Sequence, residues 1–95
     1  MYIITLTYKK PMEEIEKVTA DHRAFLDTLY TQDVLLASGP QVPRTGGILI
    51  ARSGRSKEEV MEILKQDPFY IADVADYSII EFNPMKYHAN LKDIL

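Results

Sequence analysis

From Tyr2 to Tyr8 the chain alternates, with Tyr2, Ile4, Leu6 and Tyr8 on one parity and Ile3, Thr5 and Thr7 on the other. These β-branched and aromatic types suit a strand. Beyond Pro11 the period changes. Ile15, Val18, His22, Phe25, Leu26 and Leu29 recur at three- and four-residue spacing, which places them on one face of a helix. Proline is tolerated in a first helical turn, and Glu13 and Glu14 complement the positive end of the helix dipole, so the pattern predicts a helix over about residues 11–31. Asp33 to Ser38 reads as a helix exit and a short apolar strand, stopped by Gly39-Pro40. Gln41 to Thr45 is then a connection, and Gly46 to Ala51 is a third strand, antiparallel to the second through a hairpin. Ser56-Lys57-Glu58-Glu59 has the S-x-x-E form of a capping box and opens a helix carrying Val60, Met61, Ile63 and Leu64. That helix yields at Asp67-Pro68-Phe69, because the residue before a proline is biased away from helical geometry. Tyr77 to Phe82 alternates as a last strand, and Asn83-Pro84 ends it.

The order strand, helix, strand, strand, helix, strand is the ferredoxin-like βαββαβ arrangement, an α+β fold with a four-stranded antiparallel sheet and two helices on one face. Residues 1–87 form one such domain in this reading, and 88–95 a C-terminal tail. The strands supply apolar groups of both parities, Ile3 beside Ile4, Leu35 beside Leu36 and Ile79 beside Ile80, so the face without helices is also expected to be covered. A second copy of the chain is the economical cover, which predicts a homodimer. Scattered exposed aliphatics, which proteins tolerate, are the competing explanation.

Composition narrows the function. A chain of 95 residues holds one core, and 46% hydrophobic with 26% charged content is that of an ordinary globular protein. No apolar run approaches the ~20 residues that span a bilayer, and residues 1–8 lack the basic start and cleavage site of a signal peptide, so a cytoplasmic location without membrane contact is expected. The absence of cysteine excludes thiolate nucleophiles and Cys-ligated zinc. A formal net charge of −3 and only short basic clusters, Lys9-Lys10 and Arg52 with Arg55, argue against a nucleic-acid surface.

The phosphate-binding, zinc-protease, nucleophile-elbow and calcium-loop motifs are all missing, so any chemistry rests on sparse polar groups. His22 is the first candidate, since it falls inside an apolar helical stripe. A buried imidazole needs a partner, and an unpaired one costs roughly 1–3 kcal/mol. The same ring titrates near neutrality and can serve as an acid or base, although a core histidine satisfied by one hydrogen bond would give the same pattern. Both helices lie on one sheet face, so Asp67 can approach His22, orient one ring nitrogen and stabilise the imidazolium. Alternatively, Asp67 only caps a turn or short helix at Asp-Pro. Ser38, Gly39 and Pro40 either line the site or merely shape the turn, and Arg44 either binds an anionic substrate or is solvated. His88 lies in the tail and reads as a surface residue. The two histidines are too far apart in sequence to suggest a metal site, so neither metal nor cofactor is expected.

The ordered set Asp21-His22-Arg23-Ala24-Phe25-Leu26, Leu35 to Pro40, Gly46-Gly47-Ile48, Asp67-Pro68-Phe69, Ala75-Asp76-Tyr77 and Glu81-Phe82-Asn83-Pro84 resembles the YciI-like (YCII-related) family over residues 1 to about 87. The resemblance implies a ferredoxin-like domain that dimerises through its sheets into an α/β barrel, with a His–Asp dyad in a pocket. That dyad maps onto His22 and Asp67, with Asp21, Asp27 and Asp33 as other aspartates near the helix. Members resemble muconolactone-isomerase-type barrels, and one branch is associated with dehydrochlorination of a chlorinated hydroxyquinol, which implies lyase-like proton chemistry on a small aromatic or enol. Asp33 stands where many members carry glycine. The expected function is therefore a cofactor-independent lyase- or isomerase-like enzyme with His22 as acid/base, Asp67 as its orienter, and Ser38, Gly39, Pro40, Arg44 and Phe69 around the substrate. A non-catalytic ligand-binding or regulatory module of the same fold is the alternative.

Overall fold

The computed structural model describes residues 1–95 and places the apolar parity of each strand against two helices. Its elements are β1 (Tyr2–Tyr8), α1 (Met12–Thr31), β2 (Leu35–Pro40), β3 (Gly46–Ala51), α2 (Lys57–Leu64), α3 (Pro68–Ile71) and β4 (Ala75–Glu81), followed by a single 3-10 turn at Ala89–Leu91. The sheet order is β2-β3-β1-β4 with every neighbouring pair antiparallel, the ferredoxin-like arrangement. Tyr2, Ile4 and Leu6 of β1 and Leu49 and Ala51 of β3 point to the helical side. They join Ile15, Leu26 and Leu29 of α1 and Val60 and Leu64 of α2 in one buried cluster.

Three local devices fix the elements. Ser56 Oγ accepts from the Glu59 N–H at 3.1 Å, so the predicted cap starts α2. Gly46 is obligatory at the start of β3, because a Cβ there would fall 1.8 Å from the Leu6 carbonyl oxygen. The exits of α1 and α3 share one chemistry. Asp33 (φ 58°) and Asp73 (φ 57°) both adopt the left-handed conformation. At the first exit Asp33 N–H donates to Tyr30 O (3.1 Å) and Val34 N–H to Leu29 O (2.8 Å); at the second, Asp73 N–H donates to Tyr70 O (3.1 Å) and Val74 N–H to Phe69 O (3.2 Å). Both are Schellman caps, and the buried valine that follows turns the chain into the next strand.

Differences from the sequence reading are small. The helix begins at Met12, with Pro11 as its cap residue; Gly39 and Pro40 do not stop β2 but belong to it, paired with Ile48 and Gly47 on its one partner strand; and β4 begins at Ala75 rather than Tyr77. Asp67-Pro68-Phe69 starts the four-residue α3, an element too short to have a hydrophobic period of its own.

Candidate functional site

The middle of α1 carries His22 toward the sheet, where it is 9% exposed, and α3 brings Asp67 beneath it with no exposure at all. His22 Nδ1 lies 2.7 Å from Asp67 Oδ1. The same Oδ1 accepts from the Phe69 N–H at 3.0 Å, as expected of a residue preceding a proline that opens a helix. Asp67 thus caps the short helix and hydrogen-bonds the His22 ring at the same time. Asp21, Asp27 and Asp33 are exposed, and Asp33 instead lies 3.6 Å from Arg52.

A third donor completes the carboxylate. Tyr77, on the helical side of β4, donates its hydroxyl to Asp67 Oδ2 at 2.6 Å. Burial, reinforced by the Asp67 carboxylate, pushes this phenol far above the ordinary tyrosine range, so its proton stays in place as the donor. An ionised carboxylate only accepts, so Nδ1 of the ring carries a hydrogen and the lone pair of neutral His22 resides on Nε2. The Phe69 ring stacks on the imidazole, with centroids 3.8 Å apart and planes within 1°. One short helix thus supplies both the carboxylate behind the ring and the aromatic plate beside it.

No buried side-chain nitrogen or oxygen lacks a hydrogen-bond partner, and Nε2 has no bond within the chain, so this nitrogen keeps its access to solvent. His22 lines a cavity of about 230 Å³. Leu6, Gly47 and Leu49 of the sheet and Thr19, Arg23 and Leu26 of α1 form two of its sides. Ser38, Gly39 and Pro40 at the end of β2, with Arg44 in the hairpin, form the rim, and Tyr8 and Phe69 close it. Ser38 Oγ is 2.6 Å from the Tyr30 hydroxyl. Arg44 Nε donates to the Tyr8 hydroxyl at 3.3 Å, and its guanidinium lies 5.9 Å from the centre of that ring.

Every residue singled out in the sequence for the site thus lies at this cavity or directly behind it. His88 does not; it is exposed in the tail, where its Nδ1 accepts from the Asn90 N–H at 3.1 Å. No three His, Asp or Glu side chains are grouped so as to hold a metal ion. Sequence reasoning missed Tyr77, Tyr8, Thr19 and Arg23. For Tyr77 the available signal was strand parity, which puts it on the same face as Ile79.

Residues 1–83 match the family model described as the YCII-related domain. Among solved structures, the chain is similar to 5-chloro-2-hydroxyhydroquinone dehydrochlorinase (TftG) from Burkholderia phenoliruptrix AC1100, determined in complex with 2,5-dihydroxybenzoquinone. The TM-score is 0.69 at 21% sequence identity, covering 87% of this chain and 94% of that one, a likeness of fold. No curated protein matches the chain in sequence. No helix is long and apolar enough to cross a membrane.

Proposed function

Because the chain belongs to the YCII-related domain family, we propose that it is a small-molecule enzyme of the lyase or isomerase type, in which His22 moves a proton without help from a cofactor. The observation that carries this reading is the line Tyr77–Asp67–His22, which ends on an Nε2 open to a cavity. Asp67 fixes the tautomer and faces the positive charge that develops as Nε2 takes a proton from a hydroxyl or carbon acid. In the lyase case the electron pair left behind expels a leaving group such as chloride; in the isomerase case the imidazolium returns the proton to another atom of the same molecule. Ser38 and Arg44 stand at the rim to hold a substrate oxygen.

One structural neighbour is a dehydrochlorinase, so the first assay is chloride release from 5-chloro-2-hydroxyhydroquinone, followed by a panel of small phenols, lactones and enols. Turnover is expected, with His22→Gln lowering it by about 10²–10⁴-fold while circular dichroism is unchanged. Saturable thermal stabilisation by the same compounds without turnover would replace the enzyme by a ligand-binding module.

We also propose a homodimer joined by the helix-free sheet face. Ala37, Ile50, Ile3 and Ile80 are paired in register across all four strands there, and Ile80 is 60% exposed. A continuous apolar stripe of this kind is a surface that association would cover.

A further inference from the structure

The charges at the cavity run against those of the chain. The sequence holds 14 acidic and 11 basic residues, yet Arg23 and Arg44 line the cavity and no aspartate or glutamate does. Asp67 is sealed behind the imidazole. The chain has four arginines, and the other two are engaged elsewhere: Arg52 lies 3.6 Å from Asp33, and Arg55 donates to the Gln32 carbonyl at 3.3 Å. Neither cavity arginine has a carboxylate partner. Arg44 uses only Nε, toward Tyr8, so its two terminal amino groups are uncommitted.

We infer that this cavity selects a single-ring aromatic oxyanion, a phenolate or carboxylate, with Arg23 and Arg44 recognising the charge; the inference rests on reading the cavity as a substrate site. Guanidinium groups present a planar fork of donors that matches an oxyanion, and such charge-assisted bonds are roughly twice as strong as neutral ones. The rest of the lining suits a flat apolar body, since Leu6, Leu49 and the Phe69 ring face the same space. Size fits as well. An apolar cavity of about 150 Å³ accepts benzene, so about 230 Å³ has room for one substituted ring.

Calorimetric titration with 4-hydroxybenzoate and its neutral isostere 4-hydroxybenzamide at neutral pH tests the inference without requiring turnover. The carboxylate should bind the wild type at least about tenfold more tightly than the amide, a difference of about 1.4 kcal/mol. In Arg23→Met/Arg44→Met the ratio should fall to near one, with circular dichroism confirming the fold. Equal or tighter binding of the amide overturns the inference, as does a ratio that survives in the double variant, or no saturable binding of 4-hydroxybenzoate at millimolar concentration. The His22→Gln variant separates the two readings. Anion preference retained there, with no turnover by the wild type on any substrate, sinks the enzyme and upholds anion selection; turnover confined to neutral substrates does the reverse.

Discussion

One buried carboxylate answers to three donors, and that makes Asp67 the residue on which site and stability meet. Asn caps helices as well as Asp does, so Asp67→Asn should keep most of the stability while removing the charge that favours imidazolium. Activity should fall by about 10²–10⁴-fold, and combining it with His22→Gln should add little further loss, as measured by kcat/KM of the singles and the double. Asp67→Ala instead strands His22 Nδ1, the Phe69 N–H and the Tyr77 hydroxyl, and should cost at least about 3 kcal/mol in urea unfolding. Tyr77 adds a pH signature. Its folded pKa is raised above the unfolded value of about 10, so its contribution is complete below that pH and is lost above it, as the unfolded chain ionises and the folded one keeps its proton. Stability should fall by up to about 1.4 kcal/mol per pH unit from this one group, and the alkaline slope of Tyr77→Phe should be shallower by that share. Burial and Glu81 raise Tyr2 as well, so some slope should persist in the variant. His22 was legible in the sequence because a polar ring interrupted an apolar stripe. Tyr77 was not, because a strand tyrosine looks the same whether its hydroxyl meets water or a helix carboxylate.

The elements themselves were legible wherever a period was long enough to count. α1 and β1 follow directly from their repeats, whereas four residues give α3 no repeat and only the Asp-Pro pair marks it. Its exit repeats that of α1, with an aspartate at positive φ followed by a buried valine. Substituting the first aspartate tests what this costs. Asp33→Gly relieves the left-handed strain but loosens the unfolded chain and gives up a weak pairing with Arg52, so the net change should lie within about 1 kcal/mol. Asp33→Val places a branched side chain at φ 58° and should lower stability by more than about 1 kcal/mol in the same denaturant titration.

Across the whole molecule, one sheet face is buried by helices and the other carries the isoleucine stripe, a division that strand parity already announced. What parity does not carry is the identity of the cover. For the proposed homodimer, Ile80→Glu alters a residue already 60% exposed, so the monomer fold should survive it. Light scattering should then report a dimer for the wild type and a monomer for the variant, with unchanged far-ultraviolet circular dichroism. A monomeric wild type at micromolar concentration would remove the dimer from the account.

The flat stack of Phe69 on His22 also gives the site its own reporter. A ring lying parallel at 3.8 Å places the imidazole within the shielding region of the phenyl current. The carbon-bound protons of His22 should therefore resonate upfield of those of His88, the chain's only other histidine, which is exposed. Two resolved signals in a proton spectrum would let the charge on the buried ring be followed through a titration, with no label, while ligand enters the cavity beside it.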